Sequence, residues 1–234
     1  MKDRYKNKYF SILGDSISTF EGYSVPKNGV HYTYDRKLIS NVFTSLDTWW
    51  GQVIEKLGGE LLVNHSFSGS MMSKPENVEY ASYGCSDERT SALGKDGIEP
   101  DVVMIFMGMN DWGLGIPVVK NTRCQEDENV HLFSVAYGEA LRKIKSNYPK
   151  AEIWCMTLPI SDFSRDETFV FEYYKGGRHI DEYCQAIRDC AMQYDCRIID
   201  LNKRIEAYDT WDGAHPNSIG MKTIADAVLE EICK

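Results

Sequence analysis

Residues 102–113 read Val102-Val103-Met104-Ile105-Phe106-Met107-Gly108-Met109-Asn110-Asp111-Trp112-Gly113, and this stretch decides the fold. Val102–Met107 is apolar without alternation, the signature of a strand buried on both faces, and Gly108-Met109-Asn110-Asp111 closes it as a turn. A sheet covered on both sides needs helices above and below it, so similar strands should alternate with helical segments. Working outward, the other β-prone runs are Tyr9–Leu13, Leu61–Asn64, Glu152–Met156 and Arg197–Leu201. Between them Leu46–Leu57 follows Ser45 and stops at Gly58-Gly59, a helix-ending signal. In Phe133–Tyr148, Val135, Ala136, Ala140, Leu141 and Ile144 share one face. In Ile180–Tyr194, Ile180, Tyr183, Cys184, Ile187, Cys190 and Ala191 do the same. The last helix takes Asn217 or Ser218 as its cap and turns Ile224, Ala225, Val228, Leu229 and Ile232 inward.

Strands alternating with helices of this length predict an α/β fold, a three-layer α/β/α sandwich around a parallel sheet of about five strands, flavodoxin-like in outline. No repeat, low-complexity tract or linker divides the chain, so residues 1–234 read as a single domain. Its 234 residues are 43% hydrophobic and 26% charged, ordinary globular usage that argues against a disordered or fibrous chain. The formal net charge of −9, without a dense Lys/Arg run, excludes a basic nucleic-acid face and gives no pull towards anionic membranes. Val102–Met109, the longest apolar run, is far short of the roughly 20 residues a spanning helix needs. The N-terminal MKDRYKNKYFSILGDS lacks the apolar core and cleavage site of a secretory signal, so a cytoplasmic location is expected. The seven cysteines form no close C-x-x-C pair, and Cys184, Cys190 and Cys196 are spaced around a helix. Reduced, packed thiols are favoured over a disulfide framework or a metal site, and no cofactor is expected.

In open parallel sheets functional groups gather beyond the carboxyl ends of the strands. After the first strand comes Gly14-Asp15-Ser16-Ile17-Ser18-Thr19, and after the second Asn64-His65-Ser66-Phe67-Ser68-Gly69-Ser70. Gly108-Met109-Asn110-Asp111 follows the third, and Asp212-Gly213-Ala214-His215-Pro216 lies between the fifth strand and the last helix. Each block alone is weak, because Ser caps helices and Gly-x-Asn-Asp makes turns far more often than either does chemistry. Together, in this order and at one edge of the sheet, they supply a nucleophile, donors for an oxyanion, and a base with an acid beside it.

This set of blocks resembles the SGNH hydrolases, the GDSL-type esterases and lipases. Ser16, Gly69, Asn110 and His215 stand where that family's four namesake residues stand, and Asp-x-x-His-Pro at Asp212–Pro216 is the most specific block. Met109 departs from the small residue many relatives carry, which bears on pocket shape rather than on the named roles. A serine hydroxyl becomes a useful nucleophile when a base within hydrogen-bond reach takes its proton. His215 is the candidate base, returning that proton to the leaving alcohol. Asp212, three residues earlier, can reach the far ring nitrogen, fix the tautomer and stabilise the imidazolium. The resemblance assigns the oxyanion hole to the backbone N–H groups of Ser16 and Gly69 and the side-chain amide of Asn110. Loss of one such donor costs on the order of 3 kcal/mol in the transition state.

Other polar positions read as structural. Asp15 and Asp111 are expected to bond local backbone N–H groups, and Asp200 to serve as a turn or cap residue. His65 sits near the site but has no paired acid, while His31, His131 and His179 read as surface or packing residues. Two aromatic-rich segments could shape the pocket: Phe20–Thr44, with Tyr23, Tyr32, Tyr34 and Phe43, and Ser161–Gly177, with Phe163, Phe169, Phe171, Tyr173 and Tyr174. Such rings stack on sugars or line acyl pockets as readily as they pin loops to the body. The expected activity is hydrolysis of a short-chain acyl ester, acetyl foremost, of a carbohydrate or small alcohol through an acyl-Ser16 intermediate, without metal. Acyl transfer through the same intermediate stays open, as does lysophospholipase or thioesterase activity. A flavodoxin-like phosphate- or nucleotide-binding module would explain the Asp15–Thr19 loop but leaves Gly69, Asn110 and His215 without a role.

Overall fold

A computed structural model describes residues 4–25, 29–74, 76, 82–119, 129–161 and 178–232. Its elements in chain order are β1 (Tyr9–Gly14), α1 (Lys37–Ser40), α2 (Trp49–Leu57), β2 (Glu60–Asn64), α3 (Asp87–Ser91), β3 (Val102–Phe106) and α4 (Met109–Leu114). They continue with α5 (Phe133–Asn147), β4 (Glu152–Met156), α6 (Ile180–Gln193), β5 (Arg197–Ile199), α7 (Leu201–Arg204) and α8 (Ser218–Ile232). The five strands form one sheet in the order β2-β1-β3-β4-β5, and every pairing is parallel. This is the expected three-layer α/β/α sandwich, with the 2-1-3-4-5 order of flavodoxin-like folds.

Right-handed crossovers explain the layers. The chain leaves β1 for β2 in one direction and runs from β3 through β4 to β5 in the other. The connecting helices therefore fall on opposite faces: α2 packs with α8, and α5 packs with α6. Every residue of β3 is buried, as its unbroken apolar run requires. The core continues from it into Trp49, Phe10, Trp154, Phe133 and Tyr183, all at most 2% exposed. Among the described residues no helix is long and apolar enough to cross a membrane.

Element ends depart from the sequence reading where side chains intervene. The segment expected to begin a helix at Leu46 makes a separate turn, Ser45–Asp47, capped by Thr44 and Asp47. Thr48 then turns extended, with ψ at 155°, and its hydroxyl accepts the Gly51 N–H, so α2 begins at Trp49. β5 stops at Ile199 rather than Leu201. There Asp200 does not cap α7 with its side chain. Its carboxylate accepts instead from Arg188 at 2.7 Å and from Thr157 at 3.0 Å, tying α6 to the end of β4. Asn217 is the cap of α8, its side-chain oxygen accepting from Ile219 and Gly220 at 2.9 and 3.0 Å. Among the described residues Cys85, Cys155, Cys184 and Cys196 are free thiols.

Candidate active site

Four turns at the carboxyl edge of the sheet carry the residues singled out from the sequence. Asp15 leaves β1, and its carboxylate accepts the Ile17 N–H at 3.0 Å, which curls Ser16–Ser18 into a short turn beginning at Ser16. Burial pushes the Asp15 carboxyl up to about 6, against the Ile17 hydrogen bond and the nearby His215 and Arg89. For Asp15 the local role expected of it holds.

Gly108 closes β3 with φ at 127°, a conformation that disfavours any side chain, and a Cβ there would press on the Phe133 ring. The chain then enters α4, which presents Asn110 at the sheet edge. Its amide donates to the Ser70 carbonyl at 2.9 Å, bridging to the turn around Gly69, whose φ of 79° again calls for glycine. Asp111 differs from the expectation of a local bond. Fully buried, it accepts from the Met72 and Ser73 N–H groups and from the Ser73 hydroxyl, nearly forty residues upstream. It therefore pins the stretch after Gly69 to α4. Burial raises its carboxyl, although these donors oppose the shift.

The Asp212–His215 loop is held from several sides. Tyr208 donates to the Ala214 carbonyl at 2.9 Å, and Ser161 to the Gly213 carbonyl at 3.1 Å. Trp211 and His215 close a backbone turn at 3.1 Å. One Asp212 oxygen accepts the His215 and Ala214 N–H groups at 2.8 and 3.1 Å. The other lies 2.7 Å from His215 Nδ1, and His215 Nε2 lies 2.9 Å from Ser16 Oγ. Partial burial alone would raise the Asp212 carboxyl, but the His215 ring, followed by His31, outweighs it and holds Asp212 well below the ordinary carboxylate range. A carboxylate on Nδ1 fixes the proton there and leaves the Nε2 lone pair facing the Ser16 hydroxyl.

Ser16, Gly69, Asn110, Asp212 and His215 thus lie together at one sheet edge. His65 does not join them: it is buried beside Arg89, whose Nε approaches its Nδ1 at 3.4 Å. Burial and that guanidinium push His65 down to about 4. His131 and His179 stay peripheral, the first against the Lys74 carbonyl and the second capping α6. Of the aromatic segments, Tyr32 is buried with its hydroxyl on the Pro216 carbonyl at 2.8 Å, while Tyr23, Tyr34 and Phe43 are exposed. Phe163, Phe169, Phe171, Tyr173 and Tyr174 lie outside the described residues.

Sequence reading missed two participants. Arg89 is fully buried and donates to the Gly14 and His65 carbonyls at 2.8 and 2.6 Å and to the Ser70 hydroxyl at 2.5 Å. It ties the Ser16 turn to the Gly69 turn. His31 was expected at the surface or in packing, but its ring stacks on His215 with centroids 3.5 Å apart and planes 15° from parallel. Among the described residues, His31, Asp212 and His215 are the one group of acids and histidines close enough to share an ion, with ligand atoms within 4.8 Å. Their lone pairs do not converge, because the rings are stacked and Asp212 already bonds His215 Nδ1.

The open space at Ser16 is a cleft of about 390 Å³, lined by Ser16, Ile17, Met109, Asn110, Trp112 and His215 among others. A second space of about 230 Å³ adjoins it, with Pro159, Ile160, Ile180 and Tyr208 in its wall. Met109, Trp112 and Ala214 line both, so these three residues stand where the two spaces adjoin.

The sequence profile of the GDSL-like lipase/acylhydrolase family matches residues 8–168. Among solved structures, a protein assigned to the GDSL-like lipases from Bacteroides ovatus is 26% identical, with 97% of this chain and 99% of that one covered and a TM-score of 0.76. One from Bacteroides uniformis is 27% identical, covering 97% and 96%, with a TM-score of 0.71. A carbohydrate esterase family 2 enzyme from Corynascus thermopiles (Myceliophthora fergusii) shares the fold at 15% identity, covering 98% of this chain and 68% of that one, with a TM-score of 0.59. No curated protein sequence matches the chain significantly.

Proposed function

Because the chain belongs to the GDSL-like lipase/acylhydrolase family, we propose that it is a serine esterase that removes short acyl groups, acetyl foremost, from a carbohydrate or small alcohol through an acyl-Ser16 intermediate. The observation that carries this reading is the continuous chain Ser16 Oγ, His215 Nε2, His215 Nδ1, Asp212, with contacts of 2.9 and 2.7 Å. Ser16 Oγ attacks the ester carbonyl while His215 Nε2 accepts its proton, and the Asp212 carboxylate stabilises the resulting imidazolium. The carbonyl oxygen becomes an oxyanion facing the N–H groups of Ser16 and Gly69 and the Asn110 amide. The imidazolium then gives its proton to the leaving alkoxide as the C–O bond breaks. Water, deprotonated by His215, attacks the acyl-Ser16 carbonyl, releases the acid and returns the proton to Ser16.

The substrate class draws support from the cleft. Its apolar part beside Ser16, bounded by Ile17, Met109 and Trp112, suits a small acyl group. The fold shared with a carbohydrate esterase agrees with a sugar ester as the natural substrate. The test is hydrolysis of p-nitrophenyl acetate, butyrate and octanoate by wild type and Ser16→Ala, with denatured protein as background. Acetate turnover should exceed octanoate turnover and should vanish in Ser16→Ala. Equal rates in both proteins would refute Ser16 as the nucleophile, and chelators should leave the rate unchanged.

A further inference from the structure

The proposed mechanism leaves His31 without a role, although the segment carrying it is anchored to both halves of the site. The His31 N–H donates to Thr19 Oγ1 at 2.9 Å, and Thr19 in turn donates to the Ser16 carbonyl at 2.8 Å. The next residue, Tyr32, is buried and donates to the Pro216 carbonyl at 2.8 Å, directly after His215. The imidazole is thereby fixed between the nucleophile turn and the base loop, with its face against the His215 ring and its side 38° from the Trp211 plane.

Its protonation follows from its neighbours. Arg36 Nη1 lies 2.9 Å from His31 Nδ1 and 3.5 Å from Nε2, which sets a positive charge beside the ring. On its other side His31 Nε2 lies 3.7 Å from Asp212 Oδ2, beyond ordinary hydrogen-bond length. Burial, with the nearby His215 and Arg36, keeps the His31 ring below the ordinary histidine range in spite of Asp212. A neutral aromatic face therefore lies flat on the ring that must become positive during catalysis.

Resting on the proposed esterase reading, the geometry points to His31 as a positioning residue that holds the His215 ring in plane with Asp212 and Ser16 and supports its imidazolium through the stacked face. The attraction between a cation and an aromatic face, with the ring's orientation, accounts for the effect, and no proton passes through His31. Arg36, 5.8 Å from the Trp211 ring centre and beside His31, adds a positive charge that favours the neutral form of the His31 ring.

Two variants and two readouts test this. His31→Ala removes face and donor, whereas His31→Phe keeps the face and removes the ring nitrogens. With p-nitrophenyl acetate, kcat should fall roughly tenfold in His31→Ala while KM stays within about twofold, and His31→Phe should lose no more than about threefold. The second readout needs no substrate: the downfield proton NMR signal of His215 Nδ1–H should be sharp in wild type and His31→Phe and exchange-broadened in His31→Ala. Circular dichroism and melting of each variant report folding. The proposal is overturned if His31→Ala keeps wild-type kcat and a sharp signal. It is equally overturned if His31→Phe falls as far as His31→Ala, because the nitrogens rather than the face would then carry the effect. Should wild type hydrolyse none of the esters, the esterase reading fails, and the NMR comparison alone decides the stack.

Discussion

Replacing Arg89 with methionine keeps most of the side chain's volume while removing its charge and its donors. Two effects of opposite sign then compete. Burial pulls the Arg89 guanidinium from 12.5 down to about 10, even with Asp15 nearby, so holding the charge inside costs about 3 kcal/mol, which the variant recovers. Against that, the Gly14 and His65 carbonyls and the Ser70 hydroxyl lose a charged donor in a dry interior. At about 2 kcal/mol for each acceptor, the loss is roughly 6 kcal/mol. The loss wins, by about 3 kcal/mol. In a chain of 234 residues this lowers Tm by roughly 6–12 °C, read by calorimetry at neutral pH. Activity should drop further than stability suggests, because Arg89 joins Gly14, two residues before Ser16, to the Gly69 turn. In the proposed mechanism, a displacement near 1 Å between Ser16 and the oxyanion donors costs about 10²-fold in rate. Arg89→Met melting within about 2 °C of wild type, with its kcat intact, would refute the reasoning.

Asp15 and Met109 give two further tests. Because the folded pKa of Asp15 lies above 3.8, at about 6, its contribution to stability is intact below about pH 4 and is lost as pH rises past about 6. Asp15→Asn imitates the protonated acid and keeps an acceptor for Ile17, so it should gain on the order of 2–3 kcal/mol over wild type at about pH 8 and nothing at about pH 4. Equal urea midpoints at the higher pH would contradict this. Met109→Ala trims one of the three residues that line both spaces at the site and should widen the opening between them. The ratio of kcat/KM for octanoate over acetate should then rise roughly tenfold or more, and an unchanged chain-length profile would show that Met109 does not set the acyl limit.

The strands and long helices were legible because their signals are local. An unbroken apolar run such as Val102–Met107 is compatible with few places in a fold, and residues three and four apart share a helix face whatever lies opposite. Parallel pairing then followed from the alternation of strands and helices. Ser16, Asn110 and the Asp212/His215 pair were legible for a related reason: their blocks are contiguous, and the fold rule places every strand's carboxyl end at one edge. Asp212 reaches His215 through a tight turn within one block. What the sequence could not carry was contact between distant segments. Asp111 bonds Met72 and Ser73, Asp200 bonds Arg188, and Arg89 closes on Gly14 and Ser70, each choice settled by which loops happen to meet. His31 has no spacing motif at all, and only the anchoring of its neighbours to Thr19 and Pro216 lays its ring on His215. The sequence by itself determined the α/β/α sandwich and the residues gathered at its edge, because periodicity and short motifs act over a few residues. Tertiary structure alone decided what buttresses that edge, because a buried polar group must take whichever partner the packed chain brings within about 3 Å.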